Sequence, residues 1–141
     1  MPASLARPAR AEARPSPWPV PGDSSGGARI ATMDLQAIPW RETRYPGVRI
    51  HFYASDRASG RVVALIAMDP GCGYPRHLHR DTEDILVLQG GYADEFGTYQ
   101  QGASAHYGRG TCHSPVALAT GPTCVLLTAA TEGIELLDGA G

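Results

Sequence analysis

Two histidines one residue apart, His77 and His79, stand in the segment Gly71-Cys-Gly-Tyr-Pro-Arg-His77-Leu-His79-Arg-Asp-Thr-Glu83-Asp-Ile-Leu-Val-Leu-Gln-Gly90. In an extended chain residues i and i+2 share a face, so both imidazoles can grip one ion. Glu83 follows four residues later at the mouth of an apolar run, where a turn brings its carboxylate back over the same spot. His113 offers a third imidazole. Two or three imidazoles with one carboxylate suit Fe(II), Mn(II), Ni(II) or Zn(II), and an incomplete protein shell leaves room for water, substrate or dioxygen. The expected cofactor is one divalent metal ion per chain.

The remaining reactive side chains read as supporting or structural. His51 alternates with apolar neighbours on an expected strand face and is not counted as a ligand. His106 lies seven residues before His113, an odd offset that puts the two on opposite faces of a continuous strand, unless Gly108-Arg-Gly110 turns. Cys112 adjoins His113 and points away from it. Cys72, Cys112 and Cys124 form no C-x-x-C pair, so a zinc ribbon is excluded, and all three read as small core residues in a reducing cytoplasm. Tyr74, Tyr107 and Arg76 are candidates to line a cavity, while Asp94-Glu95 reads as a solvated acidic hairpin. No residue is assigned to catalysis itself.

Positioning these groups calls for strands. From Val48 onward short β-rich runs alternate with Gly, Pro and Asp turns, the pattern of a sandwich or small barrel. Strands are expected at 48–54, 61–68, 84–89, 92–96, 112–119 and 123–129. In the first, Val48, Ile50 and Phe52 should face inward. Val62 to Met68 and Ile85 to Leu88 are apolar on both faces and should lie between covering layers. No capped helical periodicity and no repeat is evident, so the fold reads as all-β.

The chain has 141 residues, 43% hydrophobic and 18% charged, with 17 Gly and 12 Pro: enough for one packed domain rich in turns. Its formal net charge of −2 gives no general attraction to nucleic acid or anionic lipid. The longest apolar run is the seven residues from Val62 to Met68, against about 20 for a membrane-spanning helix. A soluble, cytoplasmic protein is expected. All twelve basic residues are Arg, and Lys and Asn are absent, which fits the codon usage of a GC-rich genome. Half of the prolines fall in the first 21 residues. Residues 1–32 lack the apolar stretch of a secretory signal and are expected to be a disordered extension, or to precede the true start at Met33; 33–141 should form a single domain.

Gly71-x5-His77-x-His79-x3-Glu83-x6-Gly90 resembles the first motif of the cupin superfamily at every defined position, and Gly102-x5-Gly108-x-Gly110-x2-His113 resembles the second. Where the second motif has Pro and Asn, this chain has Gly108 and Ala117. The stretches from Glu83 to Gly102 and from Thr111 to Pro115 are similar to the ChrR-like cupins, which include the C-terminal domain of anti-sigma factors and acetylacetone-cleaving dioxygenases. The resemblance covers about residues 40–137. It implies a small antiparallel β-barrel of jelly-roll type with a metal held inside by His77, His79, Glu83 and His113.

Three functions follow as expectations. The first is Fe(II)-dependent cleavage of a small dicarbonyl or related oxygen-chelating substrate by dioxygen. The second is a non-catalytic zinc-binding regulator; because no His-x3-Cys-x2-Cys precedes Met33, a complete anti-sigma factor is not expected. The third is a non-redox isomerase or lyase. The expected partners are a small-molecule substrate or effector and a second copy of the chain, since covering exposed barrel edges is a physical reason to dimerise.

Overall fold

A computed structural model describes residues 34–137. The expectations for residues 1–32 and for a start at Met33 lie outside the described residues.

After a short 3-10 turn at Leu35–Ala37 the described chain is β throughout. In order come β1 (Arg41–Glu42), β2 (Val48–Asp56), β3 (Arg61–Met68), β4 (His77–His79), β5 (Glu83–Gln89), β6 (Gly91–Asp94) and β7 (Gly97–Gln100). They continue with β8 (Ser104–Tyr107), β9 (Cys112–His113), β10 (Val116–Ala117), β11 (Cys124–Ala130) and β12 (Ile134–Leu136). All pairings are antiparallel: a six-stranded sheet in the order β1-β2-β3-β11-β5-β8, and two three-stranded sheets, β10-β6-β7 and β12-β4-β9. Strands distant in sequence are thus neighbours in the sheets, as a jelly roll requires.

The apolar runs build the interior. Ala64, Leu65, Ala67 and Met68 of β3 are buried, so that strand is covered on both faces as its composition implied. β5 is different: Ile85 and Val87 point into the core, whereas Leu86 is 38% exposed. The expectation that Ile85–Leu88 is covered on both sides is corrected: side chains alternate across β5, and only the face that carries Ile85 and Val87 is fully covered. Phe52 is also corrected. The β2–β3 register shifts between Phe52 and Ala54, and this bulge leaves Phe52 44% exposed. The expected strand 112–119 is two short ones, since Pro115 has no N–H to donate and interrupts the ladder. β1, β7, β8 and β12 are short and largely polar or exposed, so they carry little hydrophobic signal.

Two glycines hold the first motif's ends. Gly71 has φ +77°, and Gly90 has φ +66° in the tight β5–β6 connection, where a Cβ would meet the Pro122 carbonyl at 2.8 Å. Of the cysteines only Cys124 is fully buried, and burial pushes its thiol up to about 12. Cys72 and Cys112 are half-buried, which corrects their assignment to the core.

Candidate metal centre

Backbone pairing brings the histidines together. His77 on β4 is the register partner of His113 on β9. The glycine turn before β9 is stitched to the same strand: the His79 amide donates to the Thr111 carbonyl at 2.9 Å, and the Gly110 amide donates to the His79 carbonyl at 2.8 Å. Gly110 takes φ +82°, a conformation that glycine favours, and Gly108 has open space where a Cβ would stand. Glu83 opens β5, on the facing six-stranded sheet, beside Tyr107 in the ladder.

His77, His79, Glu83 and His113 are all buried, and one potential ligand atom from each lies within 4.8 Å of the others. The Nε2 atoms of His77 and His113 are 2.9 Å apart, and those of His77 and His79 are 3.1 Å apart. Glu83 Oε2 is 2.5 Å from His79 Nε2, yet it is not aligned with any donor.

The proton inventory explains why these contacts are not ordinary hydrogen bonds. His77 Nδ1 lies 2.8 Å from the Pro75 carbonyl and His113 Nδ1 lies 2.9 Å from Asp94 Oδ2. Both oxygens can only accept, so each Nδ1 carries the hydrogen. Burial pushes both imidazoles towards the neutral form, His77 down to about 4 and His113 below its ordinary value. Two neutral rings so fixed present bare Nε2 lone pairs to each other at 2.9 Å, an arrangement that calls for a cation. Two donors each about 2.1 Å from one ion and at right angles would stand about 3.0 Å apart. The residues therefore fit a divalent metal ion, and the cluster of three histidines and one glutamate could hold one.

Asp94 is the functional residue that sequence reasoning missed. Its side chain is 0% exposed, so its assignment to a solvated hairpin is corrected. Its Oδ1 accepts from the amides of Phe96 and Gly97 in the β6–β7 turn, and its Oδ2 accepts from His113 Nδ1 and from the Tyr107 hydroxyl at 2.6 Å. Tyr92 then donates to Tyr107 at 2.7 Å. Burial alone would raise the Asp94 carboxyl, but the hydrogen bonds from Tyr107 and His113 outweigh it and hold the group below its ordinary value. The signal available was the Asp-x-x-Gly turn, which places an Asp side chain over its own backbone but says nothing of what packs behind it. Glu95, in contrast, is exposed and accepts from the Ser114 amide.

The other candidates fall outside the cluster. His106 points outward and pairs with Asp84 at 2.6 Å, both side chains more than half exposed. His51 packs against Tyr53 on β2, and Arg76 is exposed. Cys112 turns away from the cluster, its Sγ 3.8 Å from the Gly110 carbonyl. Tyr107 packs its ring 4.2 Å from that of His113, and Tyr74 meets His77 edge-on at 5.4 Å.

A family model described as the ChrR cupin-like domain matches residues 28–132. The chain belongs to this family. Among solved structures, a chain of the complex between SigE and the anti-sigma factor ChrR of Rhodobacter sphaeroides is 31% identical, with a TM-score of 0.60. That match covers 68% of this cupin chain and 50% of the other, so it spans only half of the relative's length. An RmlC-like cupin from Ralstonia eutropha has a TM-score of 0.67 at 22% identity, covering 77% and 72% of the two chains. An acetylacetone dioxygenase from Acinetobacter johnsonii has 0.65 at 10% identity, covering 88% and 87%; likenesses this distant speak for the jelly-roll cupin fold alone. Among curated proteins none matches. Among the described residues no helix is long and apolar enough to cross a membrane.

Proposed function

We propose that this cupin is an Fe(II)-dependent dioxygenase that cleaves a small dicarbonyl or related oxygen-chelating substrate, with His77, His79, Glu83 and His113 as its metal ligands. The observation that carries the reading is the pair of imidazole lone pairs held against each other beside one buried carboxylate. Bound Fe(II) would supply a Lewis acid for the two oxygens of an enolate and an electron path to dioxygen. The chain's own part is preparatory. Pro75 and Asp94 fix which nitrogen of His77 and His113 faces inward, and burial keeps both rings unprotonated at neutral pH. Glu83 contributes negative charge that can stay on the metal or give way to an anionic substrate.

The test is oxygen uptake by the iron-reconstituted full chain over a panel of 1,3-diketones and aryl ketones. Uptake with at least one compound, abolished by His77→Ala, is expected; stoichiometric iron without turnover across the panel would overturn it. A second reading, a zinc-holding regulatory domain, is favoured by the 31% identity to a chain of the SigE–ChrR complex. Under that reading the purified protein would carry zinc and capture a sigma-type partner. A cytoplasmic homodimer joined through barrel edges completes the proposal, and sedimentation of the purified chain tests the assembly.

A further inference from the structure

Beside the cluster lies a cavity of about 180 Å³ between the six-stranded sheet and the β12-β4-β9 sheet. Its lining is mostly apolar. His77, Glu83 and His113 form part of the wall, and the rest is built chiefly by Val62, Ala64, Ile66, Ile85, Leu126 and Ile134. Among the described residues no Arg lines it, and the chain has no Lys. Glu83 is the only acidic lining residue among those described. Two hydroxyl-bearing residues also line it: Thr128 donates to the Ala64 carbonyl at 3.4 Å and so is turned onto the wall itself, while Tyr74 packs edge-on against His77 beside the cluster. A distal carboxylate or phosphate would therefore lose its water and find no cationic partner away from the cluster, which costs several kcal/mol for a charge.

We infer that the ligand is one-ended: a chelating pair of oxygens at the His/Glu cluster joined to an uncharged apolar body of benzene-like size. The size comes from the cavity, since an apolar space of about 150 Å³ admits benzene. This rests on the metal-chelate reading for the head of the ligand, while the apolar body rests on the lining alone. Sugar phosphates and dicarboxylates are excluded as substrates by the same lining.

The experiment measures affinity of the metal-loaded full chain for 2,4-pentanedione, 3,5-heptanedione and 1-phenyl-1,3-butanedione. In parallel it measures a diketone ending in a carboxylate, 4,6-dioxoheptanoate. Toluene is titrated against the metal-free chain by NMR. Affinity should rise about fourfold per buried methylene until the cavity is full, the carboxylated diketone should bind at least about a hundredfold more weakly than the neutral ones, and toluene should shift resonances of Ile66 and Leu126. Val62→Phe, at the half-exposed edge of the lining, should remove the gain from the phenyl group while leaving metal content unchanged. Flat affinity along the series together with no toluene binding would overturn the inference, whatever the head does. Toluene binding without any diketone binding would leave the apolar chamber standing and overturn the chelate reading instead.

Discussion

The four converging side chains divide into two pairs with different support. His77 and His113 are held from behind, one by the Pro75 carbonyl and the other by a carboxylate that Tyr107 and the β6–β7 turn pin in place. His79 and Glu83 are not: His79 Nδ1 and Glu83 Oε2 are buried without a hydrogen-bond partner. A buried polar atom left unpaired costs on the order of 1–3 kcal/mol. The difference is one of support: the first pair is oriented by the protein, and the second has polar atoms that a metal ion could satisfy. Outer partners of ligating histidines tune affinity because they set tautomer and ring angle.

That contrast can be broken from either side. His77→Ala or His113→Ala should abolish stoichiometric metal binding, measured by elemental analysis of protein purified without chelator or a metal-binding tag. Glu83→Gln should weaken binding yet raise the stability of the metal-free chain, because it replaces a buried carboxylate that has no donor; a melting temperature that falls instead would show that Glu83 is already satisfied by the protein. Acid should act through the supported pair. Their folded pKa values lie below the ordinary value of 6.5, so the unfolded chain binds more protons at acid pH. The stability of the metal-free protein should be whole above pH 6.5 and fall towards pH 4, by roughly 3 kcal/mol from His77 alone, as read by denaturant titration.

Asp94→Ala should lower metal affinity about 10- to 100-fold, in a competition titration against a chromophoric chelator. Tyr107→Phe strips one donor from Asp94 and leaves Tyr92 without its acceptor. It should destabilise the chain by about 1–3 kcal/mol while changing metal affinity less than Asp94→Ala does. Asp84→Ala removes the exposed partner of His106 and should change neither stability nor metal content measurably, as surface pairs contribute about 0–1 kcal/mol.

Much of the cluster was legible because its spacing is local. His77 and His79 share a face by strand alternation, and Glu83 returns within one turn, so their meeting needs few assumptions about the rest of the fold. His113 entered through its motif, and the pairing of β9 with β4 is what delivers it opposite His77. β4, three residues long with two histidines, was not among the expected strands, but β2, β3, β5, β6 and β11 were visible where apolar residues are dense. β7, β8 and β12 were not, because half-exposed polar strands at sheet edges leave no apolar alternation to read. Leu86 and Phe52 show the opposite failure: hydrophobic type implies burial, but an uncovered sheet face and a bulge decide otherwise.

By itself, the order of residues determined an all-β chain carrying three imidazoles and a carboxylate at ligand spacing, since side-chain alternation and turn chemistry act over a few residues. Only the tertiary structure decided that Asp94 is buried behind His113 and that the cavity wall beside the His/Glu cluster carries no Arg among the described residues. Both depend on residues far apart in the chain, Asp94 with Tyr107 and His113, and Val62 with Ile134. Burial is a property of what packs against a side chain, and no local pattern records it.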